Sequence, residues 1–252
     1  MKIIEAYWEK RNLGADTYEI ILDNSDISKL SQVMENISSN KYNEAYLVIK
    51  VPAPNVKALH YLEDNGFHFM ETQFHVSKSL QNYITPKFKF CLKNPLEQRE
   101  IEKDEKKWKA IIALMTDDMF HTDRIYLDPK IQKGISCKRY QNWIMDLVYD
   151  PESHLYVYLQ QSDLIGFGVV KINYAEKVVD VLLEGILEKY QRKGFGCRMY
   201  DCALKSYQNL GLEKLETARS SNNVSILNLD HAFGYKIEKA EYVLRKFNTQ
   251  NL

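Results

Sequence analysis

The segment Tyr190-Gln191-Arg192-Lys193-Gly194-Phe195-Gly196-Cys197-Arg198 holds the residue types of an anion site. Its glycines let backbone amides converge, and Arg192, Lys193 and Arg198 add full positive charge. It follows the apolar run Val178–Ile186 and leads into a helical pattern over Met199–Leu210. The turn therefore sits at a helix N-terminus, where partial positive charge collects. The chemistry would be the holding of a pyrophosphate; an ordinary strand-to-helix turn explains two glycines as well. Around it stand Glu184, a general base or a salt-bridged surface glutamate, and Asn223, a ligand donor or a helix cap. Cys197 reads as packing. Six histidines without ligand spacing, and Cys91, Cys137, Cys197 and Cys202 without a CxxC pair, predict no metal site and reduced thiols.

The elements that must position these residues show in the hydrophobic period. Tyr18–Leu22, Ala45–Val51, Phe67–Val76, Leu155–Gln160, Leu164–Tyr174, Val178–Ile186, Lys214–Arg219 and Glu241–Phe247 read as strands. Helices are predicted from Ser25, from Asn55 to Asn65-Gly66, over Glu105–Met115, over Arg139–Leu147, and over Val224–Phe233 ending at Gly234. Tyr83–Lys103 is weakly patterned and holds the expected domain connection, dividing the chain into 1–95 and 96–252; Asp117–Pro129 reads as loop. With 34 basic and 34 acidic residues the chain has no general field for nucleic acid or an acidic membrane. No apolar run approaches a membrane span and no signal-peptide core is present, so a cytoplasmic location is expected.

Two stretches echo each other. Asn55-Val56, Leu59, Gly66-Phe67 and Phe74 match Asn223-Val224, Leu227, Gly234-Tyr235 and Tyr242 at identical offsets, each after a strand. The first copy has no counterpart of Gln191–Gly196, which suggests a degenerate half-copy followed by a working domain.

Gln191-x-x-Gly194-x-Gly196 after a strand resembles the acetyl-CoA signature of the GCN5-related N-acetyltransferases (GNAT), and residues from about 100 to 247 follow that family's element order. Trp8-Glu9, Leu13-Gly14, Asp123-Arg124, Asp128-Pro129, Tyr140 and Trp143-Ile144 resemble the two-part TDP-fucosamine acetyltransferases. The resemblance implies a mixed α/β sheet with a degenerate N-terminal half-GNAT domain, and acetyl transfer from acetyl-CoA to a primary amine of a small molecule, such as a nucleotide-linked amino sugar. The strand end Glu184-Gly185-Ile186 would border the pantetheine arm, with Gly185 allowing its close approach and Asn223 hydrogen-bonding it. Amides of Arg192, Lys193, Gly194, Phe195 and Gly196, with Gln191, would hold the pyrophosphate. Arg124, Tyr126, Tyr140 and Trp143 would line the acceptor site, although helical spacing gives Tyr140 and Trp143 a core reading too. Paired subunits are common in the family, which makes a homodimer an expectation.

The sequence departs from that pattern where a proton-donating tyrosine is usual, because the position holds Asp230. Asp230 could be an acid tuned by burial, or the thiolate could need no acid, or the protein could bind and sense acyl-CoA without transferring it. His231 lies about 100° around the helix from it. A Rossmann site is disfavoured because Met199 stands where a third glycine belongs, and no P-loop pattern occurs.

Overall fold

The computed structural model describes residues 1–38, 40–88 and 95–248. The chain runs β1 (Lys2–Glu5), α1 (Tyr7–Leu13), β2 (Thr17–Ile21), α2 (Asn24–Ile27), α3 (Leu30–Ile37), β3 (Tyr46–Pro52), α4 (Val56–Asp64) and β4 (His68–Ser79). It continues through β5 (Glu97–Ile101), α5 (Glu105–Ile112), α6 (Arg124–Leu127), α7 (Ile135–Leu147), β6 (Ser153–Gln160), β7 (Asp163–Asn173) and β8 (Val178–Ile186). The last elements are α8 (Phe195–Asn209), β9 (Lys214–Ser220), α9 (Val224–Ala232) and β10 (Lys236–Lys246). The strands form one mixed sheet in the order β1-β2-β3-β10-β4-β9-β8-β7-β6-β5, the α/β class expected.

Four elements escape the sequence pattern. β5 falls in the weakly patterned stretch because it is an edge strand, with Glu97, Arg99 and Glu100 exposed and only β6 to pair with. α6 is a single turn, capped by the Asp123 carboxylate, inside the segment read as loop. β1 and α1 are short and lie against β2 and α7. Cys91 lies outside the described residues.

The two echoing stretches are related by the sheet itself. β4 and β10 pair antiparallel, each with one residue skipped in the ladder, Met70 in β4 and Glu238 in β10. Subtracting 70 from 238, 55 from 223, or 66 from 234 gives the same offset of 168. The flanking ladders repeat at this offset: Glu241 faces Pro52 on β3 as Gln73 faces Ser220 on β9, and Lys246 faces Leu47 as Lys78 faces Leu215. The last strand of each repeat has thus crossed to the other, β10 lying beside β3 and β4 beside β9. Gly66 and Gly234, at φ 85° and 73°, take the left-handed turn that ends α4 and α9. The caps at the other ends differ: Asn223 accepts from the Ile226 amide, whereas Asn55 gives its side-chain amide to the Pro52 carbonyl.

Buried apolar clusters fill the spaces between sheet and helices. One joins α8 residues Leu204 and Tyr207 to Tyr158, Val179 and Val181; another joins α5 and α7 residues Trp108 and Ile144 to Phe167 and Val169; a third packs Ile37 and Leu62 on Ile20 and Ile49. A polar tie crosses between the repeats. Asp128, after α6, accepts from Arg245 Nε at 2.8 Å, from Arg245 Nη2 at 3.0 Å, and from the Tyr46 hydroxyl at 2.8 Å. All three residues are buried, so removing the carboxylate strands a buried guanidinium. Asp128→Ala is expected to cost about 3–5 kcal/mol in urea denaturation; a cost below about 1 kcal/mol would show that Arg245 finds another partner.

Candidate functional site

The site begins where two parallel strands part. β8 and β9 pair from Val178–Lys214 to Val181–Thr217 and no further. β8 then continues to Ile186 on β7 alone, and β9 to Ser220 on β4 alone. The parting coincides with a bulge: Val170 faces Val181 and Val169 faces Leu183, so Leu182 is skipped on β7. A bulge adds local twist and bends its strand, here at the first residue after the last shared pair. The result is a gap between two strand edges whose backbone groups can hydrogen-bond an extended ligand.

The β8 end leads into the glycine turn. Arg192 at φ 59° and Gly194 at φ 79° turn the chain sharply, and α8 starts at Phe195. Among the described residues, no hydrogen bond runs from the amides of Arg192, Lys193, Gly194, Phe195 or Gly196 to an internal acceptor. They are the orphan donors of a helix start, gathered at one place. Gln191 instead donates to the Ile186 carbonyl at 3.1 Å and braces the turn. Lys193 donates to the Lys189 carbonyl, Arg198 packs over the Phe195 ring, and the Arg192 side chain is exposed.

The gap and the Gly196 end of the turn open into one cavity of about 440 Å³, lined by Leu182–Ile186, Gly196, Tyr200, Arg219, Asn223 and residues of both repeats. Gly185 is tightly covered: a Cβ there would lie 2.6 Å from Met119 Cε and 3.2 Å from the Phe167 ring. The approach expected for a ligand arm at Gly185 is occupied by the end of the flexible Met119 side chain. Of the residues expected to contact an acceptor, Arg124, Tyr140 and Trp143 line the cavity, and Tyr126 is not among its lining residues. Tyr140 stacks on Phe120 at 4.3 Å between centroids and donates to Asp123 at 3.1 Å, so it serves core and wall together.

Across the mouth runs a charged network that sequence spacing does not reveal. Arg219, near the end of β9, donates from Nε to Asp230 Oδ2 at 3.1 Å and lies 3.8 Å from Glu184 Oε2 on β8. Tyr200, on α8, donates its hydroxyl to Asp230 Oδ1 at 2.9 Å and accepts from Arg219 Nη2 at 3.1 Å. Asp230 is buried with both oxygens engaged, and Tyr200 rather than Asp230 lines the cavity. Burial raises the Asp230 carboxyl, opposed by Arg219 and the Tyr200 hydrogen bond. Burial also raises Glu184 to about 6, with Arg219 holding it from rising further. Burial keeps the Tyr200 hydroxyl well above its usual pKa, and hence protonated. His231 is exposed. No group of side chains suited to a metal ion, and no disulfide, occurs among the described residues. No helix among them is long and apolar enough to cross a membrane.

Carboxyl NMR should place Glu184 near pH 6, and Arg219→Gln should move it upward by removing the cation that favours the ionised form. An unmoved or lowered value would mean that Arg219 does not act on Glu184.

With this geometry in view, comparison with known proteins is specific. Residues 108–235 match the acetyltransferase (GNAT) family. That is half of the chain, and the chain belongs to this family. Solved structures agree in fold at low identity. A GCN5-related N-acetyltransferase from Sphaerobacter thermophilus is 11% identical, with all of this chain and 77% of that one covered, at a TM-score of 0.63. A tandem GNAT protein from the clavulanic acid biosynthesis pathway is 12% identical, with 94% and 76% covered, at 0.52. A GNAT-family acetyltransferase from Colwellia psychrerythraea is 12% identical, with 89% and 73% covered, at 0.52. The curated proteins yielded no match.

Proposed function

We propose that the protein transfers an acetyl group from acetyl-CoA to a primary amine of a small molecule by direct attack in a ternary complex. The observation that carries this reading is that the strand gap shares one cavity with Glu184 and with Gly196, the last residue of the turn whose amides are unsatisfied. The turn suits a pyrophosphate, and the strand edges suit an extended amide-bearing arm. Gln191 braces the turn, Ile186 borders the gap, and Asn223 stands at its α9 side. Acetyl-CoA, when bound, would supply a thioester carbonyl carbon, to which the C–N bond forms as the C–S bond breaks.

The chain's residues account for the protons. An alkylammonium must shed one to attack, and Glu184 near pKa 6 is largely ionised at neutral pH and can accept it. Tyr200 holds its proton too firmly to be a strong acid toward a thiolate of pKa about 8–9. Its single O–H, donated to Asp230 in the free protein, would turn to hydrogen-bond the departing sulfur, which takes its proton from solvent while the attacking nitrogen gives up its second proton there as the adduct collapses. Asp230 and Arg219 position that hydroxyl. Tyr200 also removes the motive for the non-catalytic acyl-CoA sensor, since a phenol from α8 stands 2.9 Å from the carboxylate found where a tyrosine is usual.

In this reading residues 1–95 are a degenerate half-GNAT unit and 96–252 the acetyltransferase unit, supported by the ladder registers that repeat at an offset of 168. The likeness to two-part TDP-fucosamine acetyltransferases makes a nucleotide-linked amino sugar one acceptor to test, with Arg124, Tyr140 and Trp143 as its contacts. A cytoplasmic homodimer completes the proposal.

Acetyl-CoA should raise the melting temperature, and Gly196→Trp, which pushes a large ring past the Leu229 methyl 3.5 Å from the new Cβ, should abolish the shift. Absence of a shift in the parent protein would remove the co-substrate assignment. With a working acceptor, kcat/KM should hold above neutrality and fall as pH drops through about 6, where Glu184 takes up its proton. Glu184→Gln should lose that acid limb together with about 100-fold in rate; an acid limb that survives the substitution would assign it to another group.

A further inference from the structure

We infer that the acceptor is a linear diamine or polyamine, whose second ammonium is held by Glu71 on β4. This rests on the acetyl-transfer reading and adds the substrate class. Glu71 is 6% exposed and lines the cavity, yet among the described residues its carboxylate makes no ion pair and no hydrogen bond. Its cross-strand neighbour on β10 is Val243, which offers no counter-charge. Two residues along the same face of β4, Gln73 has its side-chain carbonyl oxygen buried without a partner. Two acceptors without donors, one of them charged, match an ammonium and its three N–H groups.

The remaining charges of the cavity are already matched. Lys50 pairs with Glu19, and Arg139 donates from Nε to both oxygens of Glu9 at 2.6 and 2.7 Å. Arg124 lies 3.6 Å from the same carboxylate, and Arg219 serves Asp230 and Glu184. A diphosphate-bearing acceptor would find every cation in use, and two negative charges facing Glu71. A cation would find the one carboxylate that has no partner. A buried carboxylate without a counter-charge is stabilised by a bound ammonium.

The reacting nitrogen and the held nitrogen must be well separated. Glu184 is on β8 and Glu71 on β4, with β9 between them. Two strand spacings are about 10 Å, and the parting of β8 from β9 adds to that. An extended aliphatic chain between two amines bridges this distance. The acceptor wall also explains what the N-terminal repeat does in the reaction: it supplies β4, and with it Glu71 and Gln73.

The test is CoA release by the full chain with putrescine, cadaverine and spermidine against butylamine and pentylamine, alongside a nucleotide-linked amino sugar. The parent protein should prefer the diamines in kcat/KM by about tenfold or more, the effect of one partly buried charge pair. In Glu71→Gln that ratio should collapse toward one through a rise in the diamine KM. A ratio near one in the parent, an undiminished ratio in folded Glu71→Gln, or preference for the nucleotide-linked sugar would each overturn the assignment. The parent ratio needs no variant, so a folding failure of Glu71→Gln leaves the test intact. Turnover of monoamines alone removes the diamine assignment and spares acetyl transfer; binding of acetyl-CoA without CoA release from any amine removes both.

Discussion

The candidate site depends on one backbone event, the loss of hydrogen bonding between β8 and β9 after Val181 and Thr217. Parallel strands normally keep their ladder to the end, because each unpaired amide and carbonyl in an interior costs free energy. Here β8 stays with β7 and β9 stays with β4, and the bulge at Leu182 takes up the divergence. The N-terminal repeat makes the contrast. β2 ends at Ile21, its last paired residue, and the Leu22 amide still reaches the Lys50 carbonyl at 3.0 Å. There β2 stops with the ladder and only β3 runs on, to Pro52 against β10, so no gap between two diverging strands opens.

Arg219 is the side chain that such a mouth requires. It joins β9 to β8 through Glu184 and to α9 through Asp230, while sharing the Tyr200 hydroxyl with Asp230. Two carboxylates and one guanidinium leave this network short of positive charge. That shortage, with burial, is why the Glu184 carboxyl is raised to about 6. The same arrangement gives Asp230 a structural task in place of the direct one its sequence position suggests.

Much of this was readable in the chain, for a local reason. The glycine turn, the Asn223 cap and the Gly234 turn are encoded within a few residues of where they act, and so is the mixed α/β alternation. Glu184 was visible as the one carboxylate near the end of an apolar run. Arg219 and Tyr200 were not, because a strand arginine and an aromatic on a helical stripe look alike whether or not they face a cavity. Glu71 and Gln73 were hidden more deeply. They reach the site through pairings across more than a hundred residues, and no spacing rule connects β4 to β9. Tyr126, next to Ile125 in a one-turn helix, is the reverse case: a residue of the expected type in the expected segment that stays outside the lining.

The exchange of β4 and β10 has a consequence for how the chain reaches this form. The β4–β10 pair joins a strand that leaves the ribosome early to one made near the end of the described chain. Until residues 236–246 emerge, β3 and β4 each lack the neighbour that lies between them, and two long edges stand open to other chains. Folding must then close contacts of very high sequence separation, which slows it. The cavity is complete only when this pair forms, since Val243 on β10 lines it beside its cross-strand partner Glu71 on β4. Chaperones that cover those open edges during synthesis would therefore raise the yield of competent protein.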